Sequence, residues 1–426
     1  MLKRTLIKFN PNIRRHISSL YVTGDKAKDN YVVLTPFLDF EEKLKDFSAI
    51  ENNLDIRKMK FNMVDFKEEW NLFKTVEERK KSMEARRAEI AVIMKTKPDE
   101  ALKNQGKMIR EDLKLLRDNS YFLEDKFIHN YLRLPNTIHE RTPLDEKKVI
   151  YSFMEDQKNT EIQFKGKMDE LIEYYDPTCY YMKGEAAKFD VFYPMHVAEC
   201  FRESGYINFS NPDFTRSVIA EGAGIDSKQL YLLKEENIEN KLNLLHLTGS
   251  ASFLNYLSFI TKLTVFPSLF PLKFICYGKQ YNANNHTGDD LFNLVQSTCC
   301  ETFISTLDES TVEATIDQHV EHLKTIYEKF NQHFRIVYYP ATELKASESL
   351  KVGVEMYSPS HEKYIEVGNF SYYSEYISKR LLFNYKVGKN FNFPHIFTGT
   401  SVNVMKLLVI LIENNIEFKT PNFVTN

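Results

Sequence analysis

The chain has 426 residues, with 56 Lys+Arg against 59 Asp+Glu, a net charge of −3, 43% hydrophobic and 27% charged residues. That length predicts two or three domains, and the balance is that of a folded chain, which excludes disordered, collagenous and disulfide-scaffold classes. The densest apolar run, Leu407 to Ile412, falls far short of the ~20 residues a bilayer span requires, and five cysteines with no CxxC pair fit a reducing compartment.

Residues 1–24 carry Lys3, Arg4, Lys8, Arg14 and Arg15 and no acid. Leu2, Leu6, Ile7, Phe9 and Ile13 share a helix face with them, and Ser18-Ser19 follow. A basic, acid-free amphipathic start of this kind reads as a mitochondrial transit peptide. Import to the matrix with cleavage near residues 17–24 is expected. Without those cations the chain holds 51 basic and 59 acidic residues, a net −8, so any nucleic-acid surface must be local.

Residues 25–65 predict a small helical preamble. From about Phe66 to Met94, Leu72, Val76, Met83, Ile90 and Ile93 recur at helical spacing. Lys97-Pro98 breaks the pattern, and Asp99 is placed to cap a second helix, Ala101 to about Leu132, with Leu102, Ile109, Leu116 and Leu123 in one column and Leu113 and Phe127 in another. Two long helices joined at a Pro turn predict an antiparallel coiled-coil hairpin. Arg79 and Arg86 fall at seam positions in this register. Between Lys74 and Arg133 there are 15 basic and 11 acidic residues, +4, against 28 and 37, −9, over 134–426. The cations group as Arg79, Lys80, Lys81, Arg86 and Arg87, then Lys103, Lys107, Arg110, Lys114 and Arg117. On charge alone a solvated face laced with i,i+4 pairs accounts for them.

Beyond Leu134-Pro135-Asn136 the pattern is α+β: strand-like runs at Tyr206 to Phe209, Phe274 to Tyr277, Phe334 to Tyr339 and Val352 to Tyr357, and helices near 188–204, 310–332 and 401–415. The usual chemical motifs are missing. Gly222-Ala223-Gly224 has Ser227 at the third position of a dinucleotide loop, and no GxxxxGK[ST] occurs. His319 and His322 sit one turn apart without a third ligand and read as exposed helix residues, with no metal expected. Cys299 and Cys300 diverge as strand neighbours.

Leu134-Pro135-Asn136-Thr137-Ile138-His139-Glu140, after a long hairpin, resembles the arm–catalytic junction of seryl-tRNA synthetases. The resemblance runs over roughly residues 55–426. It implies an antiparallel class II sheet with flanking helices and, with the leader set apart as 1–24, division of the rest into an arm-bearing helical domain, 25–133, and a catalytic-like domain, 134–426. The family's first motif, the dimer element, resembles Phe189 to Pro212, which implies interface roles for Phe189, Phe192, Val197, Phe201, Gly205, Tyr206 and Pro212.

The substrate motifs depart from the family's. Thr248-Gly249-Ser250-Ala251-Ser252 stands where the serine-binding loop has Thr-Gly-Thr-Ala-Glu, so Ser250 and Ser252 replace a threonine and the amine-binding carboxylate. Tyr281-Asn282-Ala283-Asn284 stands for Phe-Arg-x-Glu, with Asn282 in place of the arginine that clamps the ATP α-phosphate. Asn293 and Ser297 replace an arginine and the phenylalanine that stacks on adenine, while Gln296 and Glu301 persist. Glu366-Val367-Gly368-Asn369 replaces the metal-binding Glu-x-x-Ser, and Lys406 replaces a late arginine, losing its planar fork. Scaffold positions are kept and chemical ones are not. The pattern resembles the catalytically silent insect mitochondrial seryl-tRNA synthetase-like proteins. It implies no cofactor, no serine activation, binding of mitochondrial serine tRNA through the arm cations, and pairing with the active mitochondrial seryl-tRNA synthetase, with a homodimer as runner-up. The rivals are an active enzyme with an unusual pocket and a protein–protein module without RNA.

Overall fold

The computed structural model describes residues 20–21, 34–233, 244–283 and 290–425. The expected leader, apart from Leu20 and Tyr21, and Asn284 lie outside them. Among the described residues no helix is long and apolar enough to cross a membrane.

The preamble contributes α1 (Phe47–Ile56), and the hairpin is α2 (Met63–Thr96) and α3 (Glu100–Leu132). Asn62 caps α2 by accepting from the Asp65 amide at 3.2 Å, and Asp99 caps α3 by accepting from the Ala101 amide at 2.8 Å, so the Pro turn works as its sequence predicts. At the hairpin's base Phe40, Phe66, Trp70, Phe73, Phe127 and Tyr131 form one aromatic cluster, with Phe73 and Phe127 stacked at 4.7 Å. Further out the seam thins to Ile90 and Leu113, both buried, and Gly106 passes close to Ile90.

The seam differs from the predicted register. Leu72, Arg79, Arg86 and Ile93 form an exposed column, while Phe73, Val76, Lys80, Met83 and Ile90 face the partner helix. Arg79 and Arg86 are therefore solvent-facing. Lys80 occupies the seam instead, and its ammonium is satisfied by Glu77 at 2.7 Å and by Glu124 of the opposite helix at 3.7 Å.

The body is an eight-stranded sheet. In chain order its strands are β1 (Lys148–Phe153), β2 (Ile207–Asn208), β3 (Leu272–Tyr281), β4 (Gln296–Thr306), β5 (Phe334–Tyr338), β6 (Leu350–Ser358), β7 (Lys363–Tyr372) and β8 (His395–Asn403), and across the sheet they run β1-β5-β6-β7-β8-β4-β3-β2. All neighbours are antiparallel except the short edge pair of β2 and β3. This is the expected α+β architecture. One sheet face packs on α4 (Gly184–Glu203), α6 (Val312–Glu328) and α7 (Val404–Asn414), and the other packs partly on α5 (Phe253–Ile260). Cys300 joins the first core and Cys299 the second, as strand neighbours must. His319 corrects the sequence reading: it is buried on α6, hydrogen-bonded to the Tyr206 hydroxyl at 3.1 Å, and burial drives its pKa to about 3.

Two buried arginines and the half-buried Lys43 tie the helical part to the sheet. The Arg57 guanidinium, at the end of α1, donates to the carbonyls of Asn136, Lys345 and Glu348 at 2.7 to 3.1 Å and to Asn53 Oδ1 at 2.9 Å. Arg380 donates to the Leu132 carbonyl at the end of α3, and Lys43 to the Pro135 carbonyl. Asn136 itself donates to the Ser347 and Tyr373 carbonyls at 2.9 and 2.7 Å. Arg57→Met keeps the stem and strands these carbonyls, each left to bear its desolvation. The variant should lose about 3 kcal/mol of unfolding free energy, measured by urea denaturation; a loss within a few tenths would show that water replaces the guanidinium.

Candidate functional site

The face of the sheet opposite α4, α6 and α7 holds a cavity of about 250 Å³. Its wall is made by β3, β4, β6, β7 and β8 and its rim by the loop that ends at Ser252, the N-cap of α5. Of the residues named in the sequence motifs, Thr248, Ser252, Tyr281, Glu301, Glu366 and Asn369 line it, together with Thr398, Gly399 and Thr400.

The polar groups in this cavity are bonded to one another. Glu366 gives one oxygen to the Asn369 amide at 2.8 Å and the other to the Lys351 ammonium at 2.7 Å. Against the penalty of burial, that ammonium holds the Glu366 carboxyl below the usual carboxylate range. Glu348 accepts from Ser371 Oγ at 2.9 Å and from the Lys345 amide at 2.7 Å. Glu301 accepts from Thr398 Oγ1 at 3.0 Å and, on its other oxygen, from Thr400 Oγ1 at 2.8 Å and Gln280 Nε2 at 3.0 Å. The lining contains three glutamates, two lysines and, among the described residues, no arginine.

Glu301 is a buried carboxyl without an ion pair among the described residues. Burial pushes it up to about 8, and the Thr400, Thr398 and Gln280 hydrogen bonds oppose that rise. A free glutamate ionises near 4.5, so the folded chain holds an extra proton between these values. Stability from this group is full below about 4.5 and is lost as pH rises through about 8. Glu301→Gln, which cannot ionise, should therefore gain on the wild type by about 3 kcal/mol between pH 5 and pH 8. Denaturant midpoints measured across that range check this; parallel pH curves for the two proteins would contradict it.

The other singled-out residues lie around this cavity. The Ser250 amide donates to Asp213 Oδ1 at 2.7 Å, and its hydroxyl occupies the space a Cβ at Gly278 would need. Gly249 beside it has φ +86°, and a Cβ there would meet the Lys279 carbonyl at 2.0 Å, so the loop requires glycine. Asn282 is exposed at the end of β3, its amide donating to the Val295 carbonyl at 2.7 Å. Asn293 is exposed and donates to both oxygens of Asp290 at 3.0 Å. Ser297 and Lys406 are linked through Asn403, which donates to Ser297 Oγ at 3.2 Å and caps the Lys406 amide at 3.1 Å.

Sequence reasoning missed Lys351 and Glu355. A signal was present: both interrupt an apolar strand at alternate positions, so they share the face opposite Leu350, Val352, Val354 and Met356. Glu355 is buried and held by Lys147 at 2.7 Å, Arg335 at 2.7 Å and the Tyr339 hydroxyl at 2.9 Å.

The expected interface divides in two. Phe189, Val197, Phe201 and Tyr206 are buried in the chain's own core, where Phe189 stacks on Tyr193 and Phe201 packs on His319. They fill this fold and are not available to a partner, which corrects their assignment. Phe192, Gly205 and Pro212 reach the surface, Phe192 beside exposed Val191 and Met195 on α4, and Ile207 on edge strand β2 is exposed as well. On the arm, Arg79, Lys81, Arg87, Lys107, Arg110 and Lys114 are exposed and make no ion pair among the described residues. Arg86 pairs with Glu89 at 3.0 Å, and Arg117 with Glu84 across the hairpin at 2.7 Å.

The chain matches no protein-family model. It is 32% identical over 420 residues to the serine–tRNA synthetase-like protein Slimp of Drosophila melanogaster, covering 95% of this chain and 90% of that one. It is 24% identical to the mitochondrial serine–tRNA ligase of Mus musculus, over 92% and 82% of the two chains. Among solved structures, seryl-tRNA synthetase from Pyrococcus horikoshii complexed with ATP superposes with a TM-score of 0.73 at 16% identity, covering 89% of this chain and 94% of that one. The cytoplasmic serine–tRNA ligase of Naegleria fowleri in complex with AMP gives the same TM-score and identity over 88% and 92%. Sequence similarity along nearly the whole chain and the shared antiparallel sheet agree: the chain belongs to the seryl-tRNA synthetase family, as a synthetase-like member related to the mitochondrial enzymes.

Proposed function

We propose that this protein is a non-catalytic seryl-tRNA synthetase paralogue of the mitochondrial matrix, which binds serine tRNA through its hairpin and works as a subunit beside the active mitochondrial enzyme. In this reading residues 1–24 are the leader, 25–133 the arm-bearing helical domain and 134–426 a catalytic-like domain that no longer binds ATP. Leu20 is buried and the Tyr21 hydroxyl donates to Glu124 at 2.8 Å, which favours cleavage at the early end of the 17–24 window, upstream of Leu20, and so a leader shorter than 1–24.

One observation carries the loss of chemistry. The cavity persists, but its acids are satisfied by internal partners: Lys351 and Asn369 occupy both oxygens of Glu366, the residue a metal–phosphate group would need. An ammonium at 2.7 Å must be displaced before a cation can bind there, and the exposed Asn282 offers no charge to an α-phosphate.

The subunit reading rests on Val191, Phe192 and Met195, which are exposed on α4. An exposed apolar stripe is a liability on a monomer, and interfaces of the obligate kind bury about 2,000 Å² or more. Co-expression with the mitochondrial seryl-tRNA synthetase followed by native mass measurement should give a mixed dimer, lost in the double variant Phe192→Asp, Met195→Asp. Homodimers alone, with no effect on aminoacylation, would overturn the pairing.

A further inference from the structure

Away from the cavity, α4 and the end of α6 bring a thiol, an imidazole and an ammonium together. His196 and Cys200 are one turn apart on α4 and so lie one above the other on the same side of the helix. Lys329, the C-cap of α6, reaches across to them. Its Nζ lies 3.1 Å from His196 Nε2 and 3.3 Å from Cys200 Sγ, and the sulfur is 3.5 Å from the same ring nitrogen. Among the described residues Lys329 makes no ion pair. Phe423 covers one side, 5.4 Å from the imidazole centroid, with Lys329 Nζ 5.9 Å from its own ring centre. Burial, and then the Lys329 charge, lower the His196 pKa while Glu203 opposes them, so its ring is neutral near pH 7.

The remaining thiols lack this arrangement. Cys276, Cys299 and Cys300 are buried, and burial pushes the first two up to about 12. Cys179 matches the partial exposure of Cys200 but contacts only the Tyr181 hydroxyl, at 3.8 Å. Of the two reachable thiols, one has a base and a cation in contact with its sulfur. Nucleophilic cysteines are activated in this way, by an adjacent base and a fixed positive charge. The cluster adjoins the Val191, Phe192 and Met195 stripe, His196 lying one turn from Phe192, but its thiol, imidazole and ammonium are no part of that apolar surface.

We propose that Cys200 is a peroxide-modified site, its thiolate formed by proton transfer to His196 and held by the Lys329 ammonium. The sulfur attacks one oxygen of hydrogen peroxide. An S–O bond forms as the O–O bond breaks, the sulfur is oxidised by two electrons and the peroxide is reduced. The departing hydroxide takes the proton from His196 and leaves as water, so that thiol and peroxide become sulfenic acid and water. The substrate class is hydrogen peroxide and small hydroperoxides, small enough for a partly buried cysteine.

The test treats the full chain with hydrogen peroxide and a sulfenic-acid-trapping dione, then quantifies the Cys200 and Cys179 peptides by mass spectrometry. Cys200 should be labelled roughly tenfold faster than Cys179, the scale of gap a contacting cation and base open at a thiol. Lys329→Met and His196→Asn should each bring Cys200 down towards Cys179, Lys329→Arg should preserve most of the gap, and Cys179 should not change in any of them. The Cys179 rate and the melting temperature report whether each variant is folded. Equal labelling of the two cysteines in the wild type, or an unchanged Cys200 rate in both folded variants, would overturn the proposal.

Discussion

Serine-dependent pyrophosphate exchange is expected to stay at background in this protein, at least about 10⁴-fold below an active synthetase. Adenylate formation is largely the neutralisation of phosphate charge by donors fixed in advance, and loss of one such donor costs about 10²–10³ in rate. On the proposed reading, the resemblance puts Asn282, exposed at a strand end, where the family has its α-phosphate clamp, Ser297, turned to Asn403, where it has its adenine stack, and Lys406 where it has its late arginine. It likewise puts Ser252 where the family has its amine-binding carboxylate, and Glu366 is held by Lys351. No single reversion should restore exchange: Asn282→Arg leaves Glu366 blocked, and Lys351→Ala leaves the α-phosphate without its clamp. Exchange above background that disappears in Glu366→Ala would show that this pocket still works.

Charge reversal of Lys107, Arg110 and Lys114 together is expected to lower affinity for mitochondrial serine tRNA by about two orders of magnitude at low salt and to flatten the log–log salt dependence by roughly three. At i, i+3 and i+7 these residues form one stripe on α3, all exposed and without ion pairs among the described residues. Arg86 and Arg117 should matter less, because phosphate must first displace Glu89 and Glu84, and surface pairs of this kind are worth about 0–1 kcal/mol. Unchanged affinity in the triple variant at low salt would leave the arm no part in RNA binding.

The hairpin and the sheet were legible from sequence for physical reasons. A broken 3.6-residue pattern with Asp99 after Pro98 specifies a helical turn-back, and the apolar runs that became β3, β5 and β6 are strand-like. The seam register was not legible. Several columns of α2 carry an apolar residue every seven positions, and a straight helix drifts about 20° per heptad, so Arg79 and Arg86 could not be placed by spacing. Phe189, Val197 and Phe201 were misread because a helix with apolar residues on several sides does not declare which of them its own core will take. Asn136 was visible only as part of a phrase, yet it joins the hairpin to the sheet through two carbonyls 211 and 237 residues away in sequence. Sequence did not show that the cavity stays open while Lys351 and Asn369 take up both oxygens of Glu366.

The claim that this chain kept RNA and lost nucleotide is tested most directly by titrating one preparation of the purified protein, at low salt, with labelled ATP and with mitochondrial serine tRNA. The account predicts saturable tRNA binding that weakens steeply with salt, and no saturation by ATP up to millimolar concentration whether or not magnesium and serine are present. Saturable ATP binding in the micromolar range, or the absence of tRNA binding at low salt, would contradict it.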